Sequence, residues 1–156
     1  MSKPEDYATP FWVWKSVIDF IPSDKKIYEP FYYDGASKKH FKKLGYNIIH
    51  EDIDFFKSID NLDFDVIITH PPSSKKRDIV EKLLEIDKPF MLLMSHDVLN
   101  RQWFRKLFIN KKFQIIIPLK RIQFENSDGQ RLSNADYECL FFCYKMDYIK
   151  DISFAT

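Results

Sequence analysis

Two hydrophobic periods alternate along most of this chain. Continuous apolar runs read as buried strands, and stretches with apolar residues three and four apart read as helices. "ATPFWVWKSVIDFI" predicts a helix with Thr9 as N-cap, Pro10 at the first helical position, and Val13, Val17 and Phe20 as its apolar stripe. "KKIYEPFYYDG" predicts a short strand, Lys26 to Phe31, running into a turn at Asp34-Gly35. "ASKKHFKKLG" predicts an amphipathic helix with Phe41 and Leu44 inward, stopped by Gly45. "YNIIHED" and "FDVIITH" follow as strands. "SKKRDIVEKLLEI" is a helix with Ile79, Val80, Leu83 and Leu84 on one side and Ser74 available to cap it. "KPFMLLMSH" is another buried strand, and the next helix carries Leu99, Phe104, Leu107 and Phe108. "KFQIIIPLKRIQF" and "YECLFFCYK" are late strands joined by a polar loop around Asp128-Gly129.

Repeated strand–helix–strand alternation predicts an α/β fold, a mostly parallel sheet with helices on both faces. The two final strands have no helix between them, so they form a hairpin and one of them runs antiparallel. At 156 residues the chain makes one domain, 1–156, with a substantial core. Apolar residues make up 45% and aromatics 17%, which excludes a disordered chain. The formal charge of +1 neither demands nor excludes a nucleic-acid partner. Cys139 and Cys143 share one strand face, too far apart for a disulfide, which suits a reduced, intracellular protein. No signal-peptide pattern opens the sequence, and no apolar run approaches the ~20 residues of a membrane span.

Candidate chemistry gathers at strand ends. Open sheets of this class bind ligands at the carboxyl ends of their central strands. "EPFYYDG" and "THPPSS" both stand at such ends. Two consecutive prolines make a stiff, extended corner that offers carbonyls and no N–H groups. Alone, that corner reads equally as a turn.

The ordered set Glu29-Pro30-Phe31, Gly35, Asp52, Asp54-Phe55-Phe56 and Pro71-Pro72 resembles the S-adenosylmethionine-dependent methyltransferases of the nucleic-acid N6-adenine type. The similarity runs from "ATPFW" to about "CYKM". It implies a Rossmann-like class I methyltransferase fold and S-adenosylmethionine as cofactor. In that family a (D/E)PF-x-G-x-G motif after the first strand wraps the methionine part of the cofactor. Glu29, Phe31 and Gly35 match it, while Tyr33 stands where a glycine usually does. The resemblance further implies that Asp52, or else Glu51, holds the ribose hydroxyls, that Asp54 and Phe55 lie near the cofactor's adenine, and that Thr9-Pro10 borders the cofactor. The family's catalytic motif, (D/N/S)-P-P-(Y/F/W), reads His70-Pro71-Pro72-Ser73 here. A side-chain oxygen and the first proline's carbonyl accept the adenine amine's N–H bonds, localising its lone pair and aiming it at the methyl group. The following aromatic stacks on the flipped base. A neutral His70 accepts one hydrogen bond, and an unperturbed imidazole loses that capacity below about pH 6. Ser73 cannot stack, and such stacking is worth roughly 1–3 kcal/mol.

Basic residues bear on the partner. Lys75, Lys76 and Arg77 follow the Pro-Pro corner, Arg101 and Arg105 lie one helical turn apart, and Arg121 follows Lys120 in a late strand. Lys75, Lys76 and Arg121 are the candidate contacts for a nucleic-acid substrate, with a solvated charged face as the alternative. His50, His70 and His96 all stand at strand ends, but no HxxxH or CxxC spacing accompanies them, so no metal site is expected. Three readings stay open: an adenine methyltransferase of DNA or RNA, a degenerate relative that binds nucleic acid or scaffolds a partner subunit, and a methyltransferase for another amine.

Overall fold

The computed structural model describes residues 8–124 and 138–156. The polar loop around Asp128-Gly129 lies outside them. Among the described residues seven strands form one sheet: β1 (Lys26–Tyr28), β2 (Asn47–Ile49), β3 (Val66–Thr69), β4 (Phe90–Ser95), β5 (Gln114–Ile117), β6 (Cys139–Tyr144) and β7 (Ile152–Phe154). Their spatial order is β2-β1-β3-β4-β6-β5-β7. These neighbouring pairs are parallel except β4–β6 and β5–β6, so β6 runs against the rest. The architecture is therefore α/β with a mostly parallel sheet, and β3 and β4 are adjacent, parallel and central, with Ile67 opposite Phe90.

Strand alternation sorts the core into two layers. On one face, Ile27, Ile68, Met91, Leu93, Phe141 and Cys143 pack with Val13 and Trp14 of helix α1 (Phe11–Lys15) and Phe41 of α2 (Ala36–Lys43). On the other, Tyr28, Ile67, Leu92 and Phe142 pack with Ile79, Val80, Leu83 and Leu84 of α4 (Lys76–Ile86) and Phe104 and Phe108 of α5 (Gln102–Phe108). Phe55 of the short α3 (Phe55–Ser58) joins this second layer. β6 is buried along almost its whole length, which explains its place between β4 and β5 rather than at an edge.

Several boundaries differ from the sequence expectation. Pro10 takes the N-cap position of α1 with extended backbone, so Thr9 lies one residue further out. β1 stops at Tyr28, leaving Glu29 to Phe31 as backbone over the sheet's rim. Ser74 falls inside a 3-10 turn, Ser73–Lys75, and Lys75 occupies the N-cap position of α4. β5 ends at Ile117, just before Pro118, which cannot donate to the sheet ladder, so "KRIQF" is loop rather than strand. β7 has a short, largely exposed Ile-Ser-Phe run that gave no clear strand signal.

Candidate functional site

The chain leaves β1 for β2 on one side, and β3 then pairs with β1 on the other. That reversal opens a crevice at the carboxyl ends of β1 and β3, where sheets of this class take ligands. A cleft of about 290 Å³ lies there. Pro30 to Tyr33 from the end of β1, Asp52 to Phe56 from beyond β2, and His70, Pro72 and Lys75 from beyond β3 line it. Its size is at the lower end of small-molecule sites, about 300 Å³ upward.

Glu29 ties the three strand ends together. Its own N–H donates to the Ile49 carbonyl at 2.9 Å, and its carbonyl accepts from Nδ1 of the buried His50 at 2.8 Å. Its Oε1 accepts from the Phe31 N–H at 2.9 Å and from the Thr69 hydroxyl. The side chain is 3% exposed, and no described Lys or Arg pairs with it. Burial outweighs the two donated hydrogen bonds and pushes its pKa up to about 8, so Glu29 is largely protonated at pH 7. His50 is held below the usual imidazole range, chiefly by burial, and its Nε2 is buried with no partner among the described residues.

The turn after β1 is closed by the Gly35 N–H donating to the Tyr32 carbonyl at 2.8 Å. Tyr33 sits inside this turn at φ 48, and Gly35 follows at φ 80. Left-handed backbone costs a non-glycine residue roughly 1–2 kcal/mol. Gly35 has a second reason to be glycine, because a Cβ there would lie 2.6 Å from the Tyr32 hydroxyl oxygen. Gly35 does not line the cleft; it shapes the loop that does. Tyr33 lines the cleft with its hydroxyl buried and without a partner among the described residues.

Beyond β2 the carboxylates divide their work. Glu51 is ion-paired to Lys38 at 2.8 Å, whose hydrogen bond holds its carboxyl below the usual range, and it lies outside the cleft. Asp52 lines the cleft. Asp54 lines it too, and also N-caps α3 by accepting from the Lys57 N–H at 3.0 Å. Phe55 and Phe31 pack with their rings tilted by 41° and their centres 5.4 Å apart, and Phe56, 40% exposed, also lines the cleft.

At the Pro-Pro corner, Pro71 is buried while Pro72 reaches the cleft wall. Ser73 is exposed and outside the cleft. The His70 ring stacks on Phe124, 4.5 Å between centres and 20° between planes. Phe124 itself is fully buried and comes from the loop after β5. Burial, helped by the nearby Lys76 charge, pushes the His70 pKa down to about 4. His70 is therefore neutral far below the pH 6 expected for an unperturbed ring.

The remaining candidates scatter. Thr9 borders a small inner cavity with Glu29 rather than the cleft, and Pro10 borders neither. Lys75 lines the cleft, Lys76 acts on it only through its charge, and Arg121 lines a separate cavity of about 260 Å³ at the ends of β4 and β5. Lys120, which lines that same cavity, sits over the Trp12 ring at 4.8 Å. Among the described residues no group of three His, Cys, Asp or Glu could hold a metal ion, and no helix is long and apolar enough to cross a membrane. Sequence reasoning missed Tyr32, Ile53 and the Phe124–His70 stack. Tyr32 was legible as part of "EPFYYDG", whereas the stack joins residues 54 positions apart in the sequence. No protein-family model matches the chain, and no curated protein matches its sequence.

Asp52 offers the cleft carboxylate acceptors, and Phe31, Phe55 and Phe56 give it an apolar wall. The buried Glu29 carboxyl, which has no cationic partner among the described residues, borders a small neighbouring cavity that shares Phe31, Tyr32, Tyr33 and His70 with the cleft.

Proposed function

We propose that the cleft is an adenosyl-cofactor site of the S-adenosylmethionine type, in a Rossmann-like class I methyltransferase fold related to N6-adenine methylation of DNA or RNA. The observation that carries this reading is that residues from "EPFYYDG", "EDIDFF" and "THPPSSK" line one cleft at the switch between β1 and β3. Asp52 would hold the ribose, with Asp54, Phe31 and Phe55 beside the base. The cofactor, when bound, supplies an electrophilic methyl group. Neutral His70 and the Pro71 carbonyl would accept the N–H bonds of the substrate amine, and Lys75 would meet a phosphate at the mouth. Asp52→Ala should weaken S-adenosylhomocysteine binding by about 1–3 kcal/mol, measured by calorimetry, because it strands a ligand hydroxyl. Asp54→Ala should add a stability loss of about 1 kcal/mol, since it also removes a helix cap. Absence of binding to the native protein at millimolar ligand would sink the cofactor reading.

A second reading, a degenerate relative that binds nucleic acid or scaffolds a catalytic partner, is favoured by one observation. Phe124 covers one face of His70, on the corner where a substrate amine would have to dock. The two readings differ in a transfer assay with radiolabelled methyl donor and adenine-containing oligonucleotides. If the corner is catalytic but impaired, His70→Asn with Ser73→Phe should raise transfer, because it restores an oxygen acceptor and a stacking ring. Native transfer should also hold down to about pH 5 and fail towards pH 4, where His70 protonates and offers donors to an amine that needs acceptors. Cofactor binding with no transfer by either protein favours the scaffolding role.

A further inference from the structure

β7 closes one side of the sheet, and among the described residues nothing pairs with its outer edge. Its parallel register with β5 fixes which backbone groups that edge presents. The Asp151 carbonyl accepts from the Ile115 N–H at 2.9 Å, and the Ala155 N–H donates to the Ile117 carbonyl at 2.8 Å. Residues 151, 153 and 155 therefore turn their polar groups inward, and the N–H and C=O groups of Ile152 and Phe154 point away from β5. Their side chains share one sheet face with the half-buried Ile115 and Ile117 and are 61% and 68% exposed. Sheet edges are normally blunted by a charge, a proline or a bulge, and Ile152-Ser153-Phe154 carries none of these. The opposite edge strand, β2, exposes Asn47 and buries Ile48. The β7 edge is also held in place. The Thr156 N–H donates to the Ser16 carbonyl at 3.0 Å, and Gln114 Nε2 donates to the Tyr148 and Lys150 carbonyls at 2.7 and 3.1 Å. A strand fixed in advance loses little freedom on pairing.

We propose that β7 pairs antiparallel with β7 of a second copy of this chain, about a twofold axis at Ser153, so that two sheets join edge to edge. The register that sets Ile152 against Phe154 of the second copy matches outward-facing backbone groups and apolar side chains together, and the axis repeats the match. Sliding the strands by two residues sets Phe154 against Lys150, or Ile152 against Thr156, instead. Charge agrees with the first register. It places Asp151 against Ala155 of the second copy, the neighbour of Thr156, which is bonded to Ser16 beside Lys15. Asp151 has the Gln114 amide at 3.3 Å, but neither it nor the exposed Lys15 has an ion pair among the described residues. Each end of the joined strands thus brings a carboxylate towards an uncommitted cation. The contact is smaller than a standard interface of about 1,600 Å², so the dimer is weak and forms with rising concentration. The cleft at β1 and β3 lies towards the other side of the sheet, so pairing through β7 leaves it open in both copies.

The test is sedimentation velocity of the full chain from about 5 to 500 µM, with residue-resolved amide exchange at both limits. The native chain should pass from monomer to dimer over that range. The Ile152 and Phe154 amides should slow at least tenfold, while those of Ser153 and Ala155, already bonded to β5, stay slow throughout. Phe154→Pro removes an outward N–H and no bond to β5, and it should weaken the dimer at least tenfold. Phe154→Lys, which leaves the backbone unaltered, should do the same. Lys15→Asp and Asp151→Lys should each weaken it too, whereas an equal mixture of those two chains restores opposite charges at both ends and should regain the native Kd within about threefold. A monomer at every concentration overturns the proposal. So does a dimer in which the Ile152 and Phe154 amides do not slow, one that both Phe154 variants leave intact, or a charge-swapped mixture that stays monomeric.

Discussion

Glu29→Gln should make this protein more stable than the native chain at pH 9 by roughly 4 kcal/mol while leaving it nearly unchanged at pH 5. The folded carboxyl has its pKa pushed up to about 8, from an ordinary value near 4.5, principally by burial. Between those values the folded state holds a proton that the unfolded chain has released, so stability falls as pH rises through the window. Each tenfold difference in proton affinity between the two states is worth about 1.36 kcal/mol, which sets the size of the full loss. Glutamine keeps an oxygen for the Thr69 hydroxyl and the Phe31 N–H and has no proton to lose. Below pH 6.5 His70 contributes the opposite slope: its lowered pKa makes stability fall as pH drops from 6.5 towards 4. The Glu29 effect is therefore read most cleanly above pH 6.5. Urea denaturation of both proteins at pH 5, 7 and 9 checks it, and parallel pH profiles would refute the assignment.

Phe124→Ala should cost about 3–5 kcal/mol, the range for emptying a fully buried phenylalanine site. It should also move the His70 titration from about 4 towards 6.5, because burial is the main cause of its depression and Phe124 covers one ring face. Phe124→Leu provides a milder variant that fills much of the volume without the stack. NMR titration of the histidine ring signals reads the pKa in either variant, and denaturation reads the stability. The pH window over which His70 withdraws stability should narrow in step with its pKa. A His70 that still titrates near 4 in both variants would mean that the Pro-Pro corner, rather than Phe124, keeps it dry.

The sequence by itself determined the layers of this protein. Ile67 and Ile68, or Leu92 and Leu93, are consecutive apolar residues that fill opposite faces of a doubly covered sheet, and that pattern is local. It also placed three polar or aromatic stretches at strand ends, since "EPFYYDG", "EDIDFF" and "THPPSSK" each stand just past an apolar run. Their residues meet in one cleft because parallel strands end at the same rim. Tertiary structure decided the rest. Glu51 and Asp52 are indistinguishable as letters, and only the reach of Lys38 from α2 commits the first and leaves the second to the cleft. The chain's glutamate at position 29 reads as a charge, yet burial without a cation makes it largely neutral at pH 7. His70 and Phe124 meet only because the chain after Pro118 folds back over the ends of β4 and β3. Period and turn chemistry act over a few residues and are written in order. Desolvation and stacking depend on what the fold brings within about 5 Å, which no spacing in the chain encodes.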